Sequence, residues 1–193
     1  MRLYLSSFRL GAPPELLATL AGEGARIAVI ANAMDFAAED VRREAVDREL
    51  RAMSGLGFRS GEVDLRGYFG DAALLRRDLA QYDALWVRGG NVFVLRYALH
   101  HSGGDAIAAG ALPAGALVYA GYSAGPCVLA PSLRGLDAVD DPAAVAATYG
   151  TEPIWEGLGL RTAPPAPVTR PPACPAASGR ARTARTATTP TAC

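Results

Sequence analysis

The sequence predicts an α/β fold built on a largely parallel sheet. Three observations carry this reading. Short apolar runs recur along the chain, notably residues 26–31 (RIAVIA), 84–87 (ALWV) and 116–120 (ALVYA). Continuous runs of that length suit strands buried on both faces. Stretches with helical signals separate them, and strands alternating with helices at this spacing indicate βαβ units. Glycine or asparagine bounds several runs, at Gly24, Asn32, Gly89 and Gly121, where strand and turn meet.

Taken in order, residues 3–6 form a first short strand. Pro13 and Pro14 open a helix to about residue 21, because proline is tolerated in a first helical turn. Residues 26–31 are the second strand. Residues 38–53 are a charged amphipathic helix with Val41, Ala45, Leu50 and Met53 as its apolar side, closed by Gly55 and Gly57. Residues 58–65 read as a third strand. Asp71 caps a helix over 72–80, with Leu74, Leu75 and Leu79 inward. The strand at 84–87 runs into Arg88-Gly89-Gly90-Asn91, followed by a helix over 92–101 that Gly103 and Gly104 end. A short helix over 105–109 leads to the run at 116–120. Beyond it come a loop at 131–141 with Asp137, Asp140 and Asp141, a helical turn at 143–147, and the approach to another strand at 150–160.

At 193 residues the chain suits one domain with a full core, and 50% hydrophobic with 20% charged is an ordinary composition. The net charge of +0 hides an asymmetry: residues 1–160 carry −5 and residues 161–193 carry +5. Every basic residue is Arg. Residues 161–193 hold half of the 14 prolines and no acidic residue, histidine or aromatic. Such a segment cannot bury enough surface to offset its ordering entropy. The division expected is therefore an α/β domain over 1–160 and a disordered tail over 161–193. The three cysteines, Cys127, Cys174 and Cys193, fit no zinc or CxxC spacing, and Cys127 reads as a small core residue. No apolar run approaches a membrane span, and the first residues are too short for a signal peptide. A cytoplasmic protein with no nucleic-acid or membrane partner is expected, as a monomer or homodimer.

The chemistry centres on Gly121-Tyr122-Ser123-Ala124-Gly125. This G-x-S-x-G follows an apolar strand and precedes a helical segment, the context of a nucleophile elbow. A serine at that apex stands out of the sheet in a strained conformation. Its neighbours two residues away must be small where strand and helix approach. The next helix turns free N–H groups toward any oxyanion formed there.

Two blocks together carry a family resemblance. Trp86-Val87-Arg88-Gly89-Gly90-Asn91-Val92-Phe93-Val94-Leu95 and, about thirty residues on, Ala120-Gly121-Tyr122-Ser123-Ala124-Gly125 resemble the dipeptidase E and cyanophycinase-like family of serine peptidases. The resemblance covers residues 1–160 and implies the three-layer class I glutamine amidotransferase-like fold. It implies Ser123 as nucleophile, with the Ala124 N–H and a loop glycine, Gly90 ahead of Gly89, as oxyanion donors. Asn91 would fix that loop; a helix N-cap is its plain alternative. Asp137 lies nearest the family's acidic position, with Asp140 and Asp141 as rivals and a solvated loop as the alternative for all three. The dipeptidase E branch prefers peptides with an N-terminal aspartate, and Arg88 could meet that carboxylate or simply form an ion pair. No cofactor or metal is implied.

The chain departs from the family in one respect. The family's histidine follows the serine and the acid, but no histidine follows His101. The composition beyond Leu160 reads like coding sequence out of frame, as in a frameshifted or degenerate member. A peptidase impaired by this loss is the leading expectation, and a non-catalytic binder the second. An α/β-hydrolase esterase shares the elbow but fails on the same histidine and is not supported by the GGN block. A glutamine amidotransferase would need cysteine at the apex. His100 and His101 sit where a helix C-terminus favours positive charge.

Overall fold

The computed structural model describes residues 1–11 and 13–160. Residues 161–193, and with them the expectation of a disordered tail, lie outside the described residues. The elements are β1 (Arg2–Ser6), α1 (Glu15–Ala21), β2 (Arg26–Ile30), α2 (Glu39–Gly55), β3 (Arg59–Glu62), α3 (Ala72–Leu79), β4 (Ala84–Val87), α4 (Val92–His101), α5 (Gly104–Ala111), β5 (Val118–Tyr122), α6 (Ala124–Cys127) and α7 (Ala143–Tyr149).

Five strands form one sheet in the order β1-β5-β4-β2-β3, with every pairing parallel. The apolar runs read from the sequence are its centre. All four residues of β4 and all five of β5 are buried. Alternate residues of each strand feed opposite layers. Ala28, Ile30, Leu85, Val87 and Tyr119 pack with α3, α4 and α5. Ile27, Val29, Trp86, Val118 and Tyr122 pack on the other side with Leu17 of α1 and Met53 of α2. The sheet thus lies between two helical layers, as expected.

The chain moves outward from β2 to β3, then returns across β2 to β4 and continues to β5. That reversal lies between β2 and β4, and open α/β sheets place ligands outside the carboxyl ends of the strands at such a point. The short 3-10 turn Asn32–Met34 follows β2 there and the loop at Gly89-Gly90 follows β4, and the two pack on each other at Ala33.

Three expectations need correction. The run at 116–120 is shifted: the strand continues through Tyr122, directly to the serine. Residues 150–160 form no strand of the sheet. They lie instead against the chain that follows α6, with Leu133 N–H donating to the Trp155 carbonyl (2.8 Å) and Leu158 N–H to that of Val128 (2.8 Å). The buried side of α2 keeps the expected Ala45 and Met53, with Leu50 partly buried, but turns away from Val41. Arg42, Ala45, Val46, Glu49 and Met53 face inward, while Val41 is half exposed.

Candidate active site

Ser123 follows β5 directly and has φ 54° and ψ −113°. This is a region that non-glycine residues avoid, and they hold it only where surrounding structure enforces it. Two glycines enforce it here. A methyl on Gly121 or Gly125 would overlap the Val87 carbonyl oxygen at the end of β4. The buried Tyr119 hydroxyl donates to the Gly125 carbonyl (2.7 Å), and Ser123 N–H donates to that of Ser6 (3.4 Å). The serine itself is exposed. Cys127, half-buried behind it, has its thiol pushed up by burial and then by the Asp140 charge, which keeps it from acting as a thiolate.

The glycine loop lies against the serine. A Cβ on Gly89 would stand 2.7 Å from Ser123 Cβ and 2.9 Å from the Tyr122 ring. Gly90 packs on Ala33 instead, and its own Cβ would overlap the Ala33 carbonyl oxygen. That oxygen accepts from Asn91 N–H at 2.8 Å. Asn91 takes both roles considered for it. Its Oδ1 accepts from the Phe93 and Val94 N–H groups (2.9 and 3.1 Å), capping α4, and its Nδ2 donates to the Asp141 carbonyl (2.7 Å). Neither Gly90 N–H nor Ala124 N–H has a protein acceptor among the described residues.

The three aspartates separate clearly. Asp137 is exposed, and its Oδ1 accepts from Gly135 N–H (2.9 Å) within its own turn. Asp141 Oδ1 accepts from Ala143 N–H (2.9 Å) at the start of α7. Asp140 reaches across to the start of α4, where its Oδ2 accepts from Val92 N–H at 2.9 Å. The two histidines lie at the other end of α4. At 1.5 Å of rise per residue, that is ~13 Å from the loop. His100 Nδ1 is 2.9 Å from Asp105 Oδ2, and the His101 ring stacks on Tyr97. Among the described residues no group of three or more His, Cys, Asp or Glu could hold a metal, and no helix is long and apolar enough to cross a membrane.

Residues 9–169 match the model of peptidase family S51. The chain belongs to peptidase family S51. Membership makes it a serine-type peptidase by family and agrees with the resemblance carried by the GGN and AGYSAG blocks. Two solved structures share the fold. One is described as a candidate peptidase E from Listeria monocytogenes EGD-e, with a TM-score of 0.66 and 23% identity over 82% of this chain and 74% of that one. The other is a peptidase from an acI-B1 Actinobacterium, with a TM-score of 0.51 and 19% identity over 67% of this chain and 57% of that one. No curated protein matches the chain.

Two buried charge clusters support the site of this S51 chain, and the sequence reading missed both. The first surrounds Glu49 on α2. Its Oε2 accepts from Trp86 Nε1 (2.8 Å) and its Oε1 from the Tyr122 hydroxyl (2.8 Å). Arg88 Nε lies 3.3 Å from Oε1, and Arg88 Nη1 donates to the Gly89 carbonyl (2.6 Å). Arg88 therefore forms a mostly buried ion pair. Burial, then the Glu49 charge, pushes the Tyr122 phenol up.

The second cluster fixes the turn Asn32–Met34. Arg42 Nε pairs with Asp35 Oδ1 (2.7 Å), and Asn32 Nδ2 donates to Asp35 (2.7 Å) and to Asp64 (2.9 Å). The Tyr149 hydroxyl donates to Asp35 Oδ2 (2.6 Å). Since Gly90 and Asn91 rest on Ala33, this network carries the glycine loop from below. Helical spacing held the signal: residues 42, 45, 46, 49 and 53 share one face, but Arg and Glu on a charged helix read as solvated.

Proposed function

We propose that Ser123 is the nucleophile of a peptidase for small peptides, with those bearing an N-terminal aspartate preferred. The observation that carries this reading is the strained backbone of Ser123 held against Gly89. In the proposed reaction, Ser123 Oγ attacks the peptide carbonyl carbon. Gly90 N–H and Ala124 N–H serve the oxyanion, consistent with their having no protein acceptor. The C–N bond breaks, the amine leaves with a proton, and water hydrolyses the acyl-serine ester.

The step short of a partner is the first one. A serine hydroxyl needs a neighbouring base, and the chain's two histidines, His100 and His101, sit at the far end of α4. Hydrolysis by this chain is therefore proposed to be impaired, falling to the ~10³–10⁴ over water that oxyanion hole and binding alone supply. Asp140 is favoured over Asp137 as the acidic group near the site, because it is tied to Val92 at the start of α4, two residues past Gly90, while Asp137 faces its own turn. Arg88 is assigned to the loop rather than to the substrate, because Glu49 and the Gly89 carbonyl already engage it.

A second reading, a pocket that binds small peptides without cleaving them, is favoured by the same missing base. Asp-X dipeptides given to the chain, to S123A, and to a chimera carrying a family-type strand and histidine after Leu160 separate the two. Slow turnover by the chain, strong turnover by the chimera and loss of both in S123A support the peptidase. Turnover unchanged in S123A overturns it. Calorimetric binding of the dipeptide with no turnover even in the chimera supports the binder.

A further inference from the structure

Glu49 is 4% exposed and sits in the apolar layer between α2 and the sheet. Placing a carboxylate there costs far more than placing leucine or methionine, and replacing buried ion pairs by apolar residues is often neutral or stabilising. Packing alone therefore does not account for this residue. Its three partners all lead to the reacting end of the molecule. Tyr122 directly precedes Ser123. Trp86 and Arg88 flank Val87, on which Gly121 and Gly125 rest. Arg88 in turn holds the Gly89 carbonyl.

We propose that Glu49 is a positioning residue that sets the nucleophile elbow and the glycine loop against each other through Tyr122 and Arg88. The inference rests on the reading of Ser123 as nucleophile and of the Gly89-Gly90 loop as the oxyanion site.

The peptide joining Gly89 to Gly90 explains how the clamp acts. In a planar trans peptide the carbonyl oxygen and the next N–H point in opposite directions. Arg88 Nη1 grips the Gly89 carbonyl oxygen, so it also sets where the Gly90 N–H points. That N–H has no acceptor among the described residues. The Arg88 side chain is 12% exposed, and its Nε lies 3.3 Å from Glu49 without forming an aligned hydrogen bond. Charge attraction, rather than a directed bond, keeps that end of the guanidinium in place. The same Glu49 oxygen accepts the Tyr122 hydroxyl, and the Tyr122 ring lies where a Gly89 side chain would be. One carboxylate thus fixes both partners of the Gly89–Ser123 contact.

The test uses the full chain with E49Q and R88M. In E49Q the amide oxygen still accepts from Trp86 while the amide nitrogen meets the Tyr122 hydroxyl, so the charge holding Arg88 is lost and the packing kept. R88M leaves Glu49 with both of its aligned donors, and reads the clamp independently should E49Q fail to fold. Two readouts are taken. The first is the NMR cross-peak between Gly89 Hα and Ser123 Hβ. The second is affinity for the aspartate analogue bearing –B(OH)2 in place of its α-carboxyl, set against the reduced-amide isostere of Asp-Leu. With the boronic acid, Ser123 Oγ bonds to boron, the hydroxyl proton leaves to solvent, and the tetrahedral boron takes the negative charge.

Expected are a weakened cross-peak in both variants and boronate affinity lower by ~10–100-fold, with isostere affinity kept. An unchanged cross-peak and unchanged boronate affinity overturn the proposal. Parallel loss of boronate and isostere affinity with a lowered Tm makes Glu49 a structural prop only, and also overturns it. Boronate binding as weak in the parent chain as in S123A sinks the nucleophile reading instead. The cross-peak then decides the clamp alone, its loss supporting the proposal and its persistence overturning it.

Discussion

A methyl group on Gly125 would stand 2.5 Å from the carbonyl oxygen of Val87. The elbow is thus built on the last residue of the neighbouring strand, and the two small residues around the serine are steric requirements. Gly125→Ala is expected to destabilise the fold by ~1–3 kcal/mol, the usual cost of overpacking. Urea unfolding measures it, and a midpoint equal to that of the parent chain would contradict the packing described.

Ser123 holds its backbone where glycine is at ease. Ser123→Gly should therefore stabilise the chain by about 1 kcal/mol, while Ser123→Ala should leave it nearly unchanged. The comparison separates backbone strain from the hydroxyl, and equal effects would show that the strain is not where the dihedral angles put it.

Gly89→Ala should act on the site more than on the fold. Its methyl meets the Ser123 and Tyr122 side chains rather than backbone, and those side chains are able to shift. The expected outcome is loss of Ser123-dependent chemistry by on the order of a hundredfold with only a small change in Tm. A Tm falling as far as that of Gly125→Ala would place Gly89 in the scaffold.

Asp64 gives the fold an acid limb. Burial works against its charged form, but hydrogen bonds from Arg66 and Asn32 and the Arg42 charge outweigh it, so its carboxyl sits below the usual range. The folded value thus lies below the unfolded one of about 3.9. Its stabilisation is present above that value and is lost as pH falls through the folded one. Asp64→Asn should flatten the fall in stability below about pH 4 relative to the parent. Denaturant midpoints across that window measure the difference.

His101 should titrate below 6.5, because burial and the neighbouring His100 both disfavour its charged form. NMR titration of the ring protons checks this. His100→Ala and His101→Ala should leave any Ser123-dependent turnover unchanged, since both rings lie in the last turn of α4, at the end away from the glycine loop. A strong loss in either variant would make that ring the base.

Much of this molecule was legible in the residues. The run ALWV was legible as a strand, because a short apolar run with Trp and Val, bounded by Asp83 and by Arg88-Gly89-Gly90, suits a strand covered on both sides. Asp71 and Asn91 were legible as caps, since a short polar side chain before an apolar helix has free N–H groups to meet; both form those bonds. The site was legible where backbone shape is encoded by glycine. It was hidden where buried charge does the holding. Arg42 and Glu49 look like any solvated residues of a charged helix, and only the fold brings Asp35, Trp86, Tyr122 and Arg88 to them. The preference among Asp137, Asp140 and Asp141 was equally hidden, because a loop's path decides which carboxylate reaches Val92.

The pairing of β1 with β5 has a consequence for how the protein is made. Arg2 aligns with Val118 and Ser6 with Tyr122, so β1 leaves a ribosome with its sheet partner still more than a hundred residues from synthesis. At about 5–20 residues per second, that is a wait on the order of ten seconds. During it, Leu3, Tyr4 and Leu5 stay open to other chains while β2, β3 and β4 already have one another. Faster translation between β1 and β5, or a chaperone that covers this segment, should therefore raise the yield of folded protein more than any change to the central strands.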